Sequence, residues 1–291
     1  MSLLGKITPA FLWRAFFFFS CASTLACAAV APNPAPPLLQ IGKPSDAEAE
    51  TIIRDFRESG IPGQFFWEIE LQAMPPRGAT KVYRGRIWGG RNAEGALYRV
   101  ELTDAAGGVR RLLLQNGERA GVWRFLDGQV SKVEVEGWLE PLLPGLEITA
   151  FDLLMPFLYW PNPTVERITR TFGRTAHQFL LRPPPDFAAK HPEITAARVY
   201  LDGQVNQPLQ SELLGAGNRV TKRFSLITLK KIGEQMIPKS IDFRNEATGS
   251  KTRLLVTGVA FNLDFSPALF EPASLAETIL PPAGGRVLRT D

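Results

Sequence analysis

The ten residues Gln64-Phe65-Phe66-Trp67-Glu68-Ile69-Glu70-Leu71-Gln72-Ala73 alternate with a period of two. Phe65, Trp67, Ile69, Leu71 and Ala73 fall on one face, and Glu68, Glu70 and Gln72 on the other. This is the pattern of a strand with one oily and one wet side. It predicts β-structure over 64–74, and the same pattern recurs at 80–88, 96–103, 109–116, 120–127 and 129–136. Turns at Asn92-Ala93-Glu94-Gly95, Ala106-Gly107-Gly108, Asn116-Gly117 and Asp127-Gly128 join these segments. Asn-Gly and Asp-Gly favour tight hairpins because both turn positions need positive φ. The result is a meander. Further strands are expected at 175–182, 196–202, 208–215, 221–231, 235–244 and 252–262.

Before the first strand, Ser45-Asp46-Ala47-Glu48 is a capping box, so a helix is expected to about Ser59 with Ile52, Ile53 and Phe56 as its stripe. Gly60-Ile61-Pro62-Gly63 stops it. Midway, Thr149 can cap a helix over 150–159 before Pro161 ends it. Phe151, Leu153, Leu154, Met155, Phe157, Leu158 and Trp160 make that segment apolar on nearly every side. It must be buried or cover something, with Pro156 as a hinge. Residues 183–192 read as a proline-rich surface insertion, and 276–291 as a loose tail.

The N-terminus carries a different signal. Lys6 and Arg14 precede an apolar run from Ala15 to Ala26 that ends in small residues, the organisation of a secretory signal peptide over 1–28. A Pro-rich linker follows over 29–44, and a single domain over 45–275. Leu25-Ala26-Cys27 loosely resembles a lipobox, which gives an alternative: a membrane-anchored lipoprotein attached through Cys27. On either reading the chain leaves the cytosol for the periplasm. Both cysteines, Cys21 and Cys27, lie in or beside the signal, so the mature domain depends on its core for stability. The net charge of +4 falls by two when Lys6 and Arg14 leave, and nothing in the balance calls for a nucleic-acid partner.

Motifs for catalysis are weak. His177 and His191 have no Cys, Asp or Glu around them at ligand spacing, so no metal site is expected. There is no Gly-x-Ser-x-Gly elbow, and Gly215-Ala216-Gly217-Asn218 lacks the Lys of a phosphate loop. Glu134 and Glu136 are expected on one strand face pointing to water. Arg84, Arg86, Arg110, Arg111, Lys222, Arg223, Lys230 and Lys231 read as solvated outer faces. The sequence predicts a binding protein, without cofactor and not an enzyme.

Several segments together resemble the LolA/LolB-like outer-membrane lipoprotein-sorting proteins. They are Val199-Tyr200-Leu201-Asp202, Pro208-Leu209, the run from Lys230 to Lys239, Thr248-Gly249-Ser250-Lys251-Thr252, and the run from Phe270 to Leu275. Tyr83-Arg84-Gly85-Arg86-Ile87-Trp88, Leu113-Leu114-Gln115-Asn116-Gly117 and Asp152-Leu153-Leu154 extend the resemblance over the whole mature domain. It implies an α+β fold: a strongly curved, half-open antiparallel β-barrel with helices covering the open side and an apolar cavity for acyl chains. The resemblance makes Phe65, Trp67, Ile69, Leu71, Tyr98, Val100, Leu102, Leu112 and Leu114 candidate cavity residues. Phe151, Leu154, Met155, Phe157 and Leu158 become candidates for a lid. The expected partners are lipid or lipoprotein acyl chains, with a monomeric carrier as the first reading. A sensor module that binds an envelope membrane protein is the alternative. The chain departs from the family in its greater length, its proline-rich 183–193 insertion and the lack of a single Arg that aligns as the family's lid latch.

Overall fold

In a computed structural model of the chain, residues 44–104, 106–203 and 207–290 are described. The signal segment, Cys21, Cys27 and all but the last residue of the Pro-rich linker lie outside the described residues. Ser45 opens α1 (Asp46–Glu58) with the expected capping box. The Glu48 amide donates to the Ser45 hydroxyl at 3.3 Å, and the Ser45 amide donates to the Glu48 carboxylate at 2.7 Å. Ala49 and Ile53 are buried on the inner side of the helix.

The strands follow as two meanders. The first is β1 (Gln64–Met74), β2 (Lys81–Arg91), β3 (Ala96–Thr103), β4 (Val109–Gln115), β5 (Gly121–Leu126) and β6 (Gln129–Val133). A long connection then carries α2 (Ala150–Leu154). The second meander is β7 (Thr164–Thr171), β8 (Arg174–Leu181), β9 (Ala196–Asp202), β10 (Pro208–Leu214), β11 (Val220–Ile232), β12 (Gln235–Asn245) and β13 (Lys251–Leu263), with α3 (Pro185–Lys190) between β8 and β9. A two-residue strand, β14 (Leu288–Arg289), returns to β13 near the C-terminus.

All the strands belong to one antiparallel sheet, in the order β6-β5-β4-β3-β2-β1-β13-β12-β11-β10-β9-β8-β7. The two meanders fuse where β1 pairs with β13, through partners such as Leu71 with Leu254. Register shifts in that ladder, between Gln64 and Phe66 and between Glu68 and Ile69, are bulges that add local twist. The sheet does not close, because β6 and β7 end it without pairing to each other. The sequence expectation of a curved, open antiparallel barrel is met.

The inner face of the sheet holds the main core. Ile69 and Leu71 of β1, Val100 and Leu102 of β3, and Leu112 and Leu114 of β4 join Val199 of β9 and Phe243 of β12. They share one buried cluster with Phe151, Leu154, Phe157 and Leu158 of the β6–β7 connection. Each such side chain contributes about 1.5–3 kcal/mol by leaving water. The residues between the two halves of the sheet thus cover its concave side.

The outer face carries a second, smaller cluster of Phe66, Trp88, Ala260 and Leu269, with Phe265, Phe270, Ile279 and Val287 packed against it. The C-terminal residues lie over the back of the first meander, as far as β5 and β6, and are tied there by two arginines. Arg99 is fully buried and donates to the Ser274 hydroxyl at 2.7 Å and the Glu277 carbonyl at 2.8 Å. Arg111 donates to the Leu275 carbonyl at 3.3 Å and the Thr278 hydroxyl at 2.9 Å.

Several sequence expectations are corrected. The 150–159 segment is not one helix: α2 stops at Leu154, Met155 turns left-handed at φ 46°, and Pro156–Tyr159 continue as a 3-10 turn. A residue before proline is pushed out of the α region, which is why the break falls at Met155. The strand expected over 129–136 ends at Val133, and Val135–Leu139 form a 3-10 turn. Glu134 and Glu136 therefore share no strand face, and Glu136 instead meets Lys190 at 3.3 Å. The proline-rich 183–192 segment holds α3, whose Phe187 is buried against Trp160 at 5.2 Å between ring centroids. β7 was not anticipated. At the C-terminus, where a loose tail was expected, β14 pairs with β13 and Thr290 is buried.

Some of the basic residues read as solvated also differ, while Arg84 and Lys231 are exposed as expected. Arg86 and Arg111 both face the buried Glu101, at 3.6 and 3.4 Å. Lys222 is half-buried against Asp152 at 2.5 Å, and Arg223 bridges Glu212 at 3.2 Å and Glu246 at 2.8 Å. Lys230 donates to the Thr290 carbonyl at 3.0 Å.

Candidate functional site

Between the concave face and its cover lies a cavity of about 240 Å³. On the sheet side its wall comes from Phe65 and Trp67 of β1, Ile87 of β2 and Tyr98 and Val100 of β3. Across the fusion of the two meanders, Phe224, Leu226, Ile241 and Phe243 of β11 and β12 complete it. The cover contributes Phe56 from α1, Leu153 and Leu154 from α2, and Met155, Leu158 and Tyr159 from the turn that follows. Alternation aims every second side chain of these strands inward, and the curvature of the sheet brings strands that are distant in sequence to one space.

Phe65 keeps its place because Gly89 on the paired strand has no side chain. A Cβ built at Gly89 would fall 2.1 Å from the Phe65 ring. The ring therefore lies against the backbone of β2 at Gly89, 5.0 Å from Trp67 and 6.5 Å from Tyr98 between centroids. These three rings form one wall. The Trp67 indole N–H is buried and meets no acceptor among the described residues.

Of the residues singled out from sequence, Phe65, Trp67, Tyr98 and Val100 line the cavity, as do Leu154, Met155 and Leu158. Ile69, Leu71, Leu102, Leu112 and Leu114 lie on the same concave face but are packed in the core. Phe151 and Phe157 sit 5.8 Å apart in an aromatic group with Trp160 and Phe187 behind the cavity. Sequence reasoning passed over Ile87 and the inner residues of β11 and β12. Their alternation was visible, but which strands would close on β1–β3 was not.

Polar groups enter the lining at Asp152 and Gln207, and as a cluster at one corner. Arg57, in the last turn of α1, donates through Nε to the Leu158 carbonyl at 2.7 Å and stacks over Tyr159, 4.8 Å from the ring centroid. Arg91, at the end of β2, donates to the Arg57 carbonyl at 2.6 Å. Asn116 follows β4 beside Ala96, and both also border the cavity. Burial lowers the Arg57 pKa from its ordinary value and raises those of the Tyr98 and Tyr159 phenols.

On the far side, Asp152 is buried and accepts from the Thr149 amide and hydroxyl at 2.8 and 2.7 Å, closing a second capping box. Lys222 of β11 donates to the same carboxylate. The cover is thus pinned to α1 through Arg57 and to the sheet through Lys222.

No group of three or more potential metal ligands occurs among the described residues. His191 accepts or donates at 3.0 Å to Glu193 and at 3.3 Å to the Val135 carbonyl, which is a packing role. Burial lowers the pKa of His177, which stands 6.4 Å from the Phe179 ring. No helix of the described residues is long and apolar enough to cross a membrane.

With the open sheet, its cover and the cavity between them described, the solved structures give a consistent match. An outer membrane lipoprotein-sorting protein domain from Vibrio parahaemolyticus aligns over 80% of this chain and 100% of its own, with a TM-score of 0.70 at 14% identity. The chain has the LolA-like fold. A LolA superfamily protein from Nitrosomonas europaea covers 77% of this chain and 97% of its own, with a TM-score of 0.58 at 16% identity. A DUF1329 family protein from Desulfovibrio piger covers 79% and 98%, with a TM-score of 0.66 at 11% identity. Residues 186–277 match a family model described as "Uncharacterized protein", and no curated protein matches the sequence. The resemblance read from the sequence therefore holds for the fold, including the region from Ile194 to Leu275 where it is densest. In LolA-like terms, β1–β13 form the open barrel and residues 134–163 with α1 form its cover.

Proposed function

We propose that this protein binds an acyl chain in its concave cavity and carries or presents it in the bacterial envelope, as a lipid or as part of a lipoprotein. The observation that carries the reading is the apolar space of about 240 Å³ between the curved sheet and the 150–159 segment. That volume exceeds the roughly 150 Å³ that takes up a small aromatic molecule in an engineered core. It falls short of the roughly 300 Å³ at which drug-sized pockets begin. The reading is therefore one chain at a time.

Each methylene moved from water into such a space gains about 0.8 kcal/mol, so shape and dryness supply affinity and no bond needs to be made or broken. Phe65, Trp67, Tyr98 and Val100 form the wall that the chain lies against. Leu154, Met155 and Leu158 close over it. Met155 suits this role because its side chain re-packs around ligands of different shape, and the break before Pro156 gives the cover a place to bend. The amino-terminal segment reads as an export signal, and this reading, with the fold shared with the Vibrio sorting-protein domain, supports a periplasmic setting.

Native mass spectrometry of protein purified from an envelope fraction, followed by organic extraction, tests the proposal. Co-purified lipid or lipoprotein at near-stoichiometric occupancy is the expected result. Protein that is clean, and that also fails to take up a long-chain amphiphile from solution, contradicts it.

A further inference from the structure

Arg57 stands out by its place: like the fully buried Arg99 of the outer face it has no ion pair among the described residues, but it lies at the cavity. It is half-buried at the cavity lining, and no carboxylate lies within 4 Å of it among the described residues. Glu118 and Glu50 act on it only at longer range. By contrast, the partly buried Arg198, Arg223 and Arg253 each meet an acidic partner at 2.7–3.2 Å. A guanidinium drawn partly out of water without a counter-ion is costly, and the cost is recovered when an anion arrives. Arg57 has five N–H donors, of which the Leu158 carbonyl takes one.

Arg91 adds a second cation at the same corner. Its contact with the Arg57 carbonyl at 2.6 Å fixes the two residues side by side, and it too has no ion-pair partner among the described residues. The corner lies where β2 ends, β3 begins and β4 ends, since Arg91 pairs with Ala96 and the Asn116 amide donates to the Ala96 carbonyl at 2.8 Å. The opposite wall carries Phe224, Leu226, Ile241 and Phe243, and Asp152 and Gln207 also border the space away from the arginines. The space is therefore uneven: Arg57, Arg91 and the Asn116 amide stand at one end, and the rest is mainly hydrocarbon, with the Asp152 carboxylate bordering it on the far side.

From this geometry, and resting on the acyl-chain reading above, we infer that the ligand is a single-chain amphiphile with an anionic head. Its carboxylate or phosphate is held by Arg57 and Arg91, and its chain runs along Trp67 and Val100. Arg57 then has two roles. It holds the head through its free N–H groups and holds the cover through the Leu158 carbonyl, so head-group binding and closure are linked at one residue. Forked guanidinium donors suit both carboxylate and phosphate oxygens.

The test uses the mature protein and displacement of a neutral fluorescent apolar probe by hexadecanoate, hexadecyl phosphate and methyl hexadecanoate, which share a chain and differ in head. At least one of the two anions should bind about tenfold or more tighter than the ester, the size expected of charge-assisted hydrogen bonds partly offset by desolvation. The preferred anion separates a fatty acid from a phosphate-headed lipid. Arg91→Gln, at an exposed position, should narrow the anion-to-ester ratio several-fold. Arg57→Lys keeps the charge but loses the fork, and should narrow it as well. Equal binding of all three amphiphiles, or a ratio that neither substitution changes, overturns the head-group inference and leaves the acyl-chain reading standing. Failure of all three to bind overturns both.

Discussion

Replacing Lys222 by Met should release the cover from the sheet. The ammonium of Lys222 lies 2.5 Å from the Asp152 carboxylate, with the two side chains 15% and 8% exposed. Removing one partner of a buried pair leaves the other charge uncompensated, which typically costs about 3–5 kcal/mol. Here the Asp152 carboxylate keeps its bonds from the Thr149 amide and hydroxyl, so the lower figure, about 3 kcal/mol, is expected. For a domain of this size each kcal/mol moves the midpoint by roughly 2–4 °C, so calorimetry should find a fall of about 6–12 °C. Adding Asp152→Asn should recover part of it, because the orphaned charge is gone while the cap survives in weaker form. Hydrogen exchange provides the local readout. Amides of 150–159 should lose protection before those of β1, since the lost contact belongs to the cover. A midpoint change under about 2 °C, with unchanged exchange at 150–159, would refute the claim that this pair pins the cover.

Three further outcomes follow from other contacts. Gly89→Ala places a methyl group where the Phe65 ring now lies, so the ring must swing toward the cavity. Stability should fall by about 1–3 kcal/mol, and amphiphile affinity should fall with it, as titration calorimetry would record. Arg99→Leu removes the buried donors to Ser274 and Glu277, and should cost about 2–4 kcal/mol and make 264–290 the first site of limited proteolysis. Burial alone would raise the Asp242 carboxyl, but hydrogen bonds from Arg253 and Lys251 outweigh it and hold it below its ordinary 3.8. A depressed folded-state value stabilises above the unfolded one and is lost as pH falls through the folded one. Thermal stability should therefore decline below about pH 4, and Asp242→Asn should flatten that decline.

Much of the sheet was legible because its turns and alternation are local. Asn116-Gly117 and Asp127-Gly128 marked hairpins that the structure contains, and the strand expected at 64–74 is β1. The cavity was half legible. The inward faces of β1 and β3 could be read from alternation, but the wall from β11 and β12 depends on a long-range closure that no local pattern encodes. The outer-face cluster did leave a trace. Phe66 interrupts the wet face of β1 and Trp88 follows Ile87 on β2, and the two are register partners. Two such interruptions in adjacent strands signal a covered back. The ion pairs of Lys222 and Arg223 were missed because a charge on a strand looks the same in sequence whether it faces water or a partner. Proline composition likewise concealed α3, whose first-turn prolines sit where a helix tolerates them.

Photo-crosslinking with a diazirine-bearing hexadecanoate, followed by peptide mapping, tests the central claim most directly. The account predicts labels on cavity-lining positions such as Trp67, Val100, Leu154 and Leu226, competed away by unlabelled chain. Labels confined to the outer cluster around Phe66, Trp88 and Leu269, or no saturable labelling at all, would contradict it.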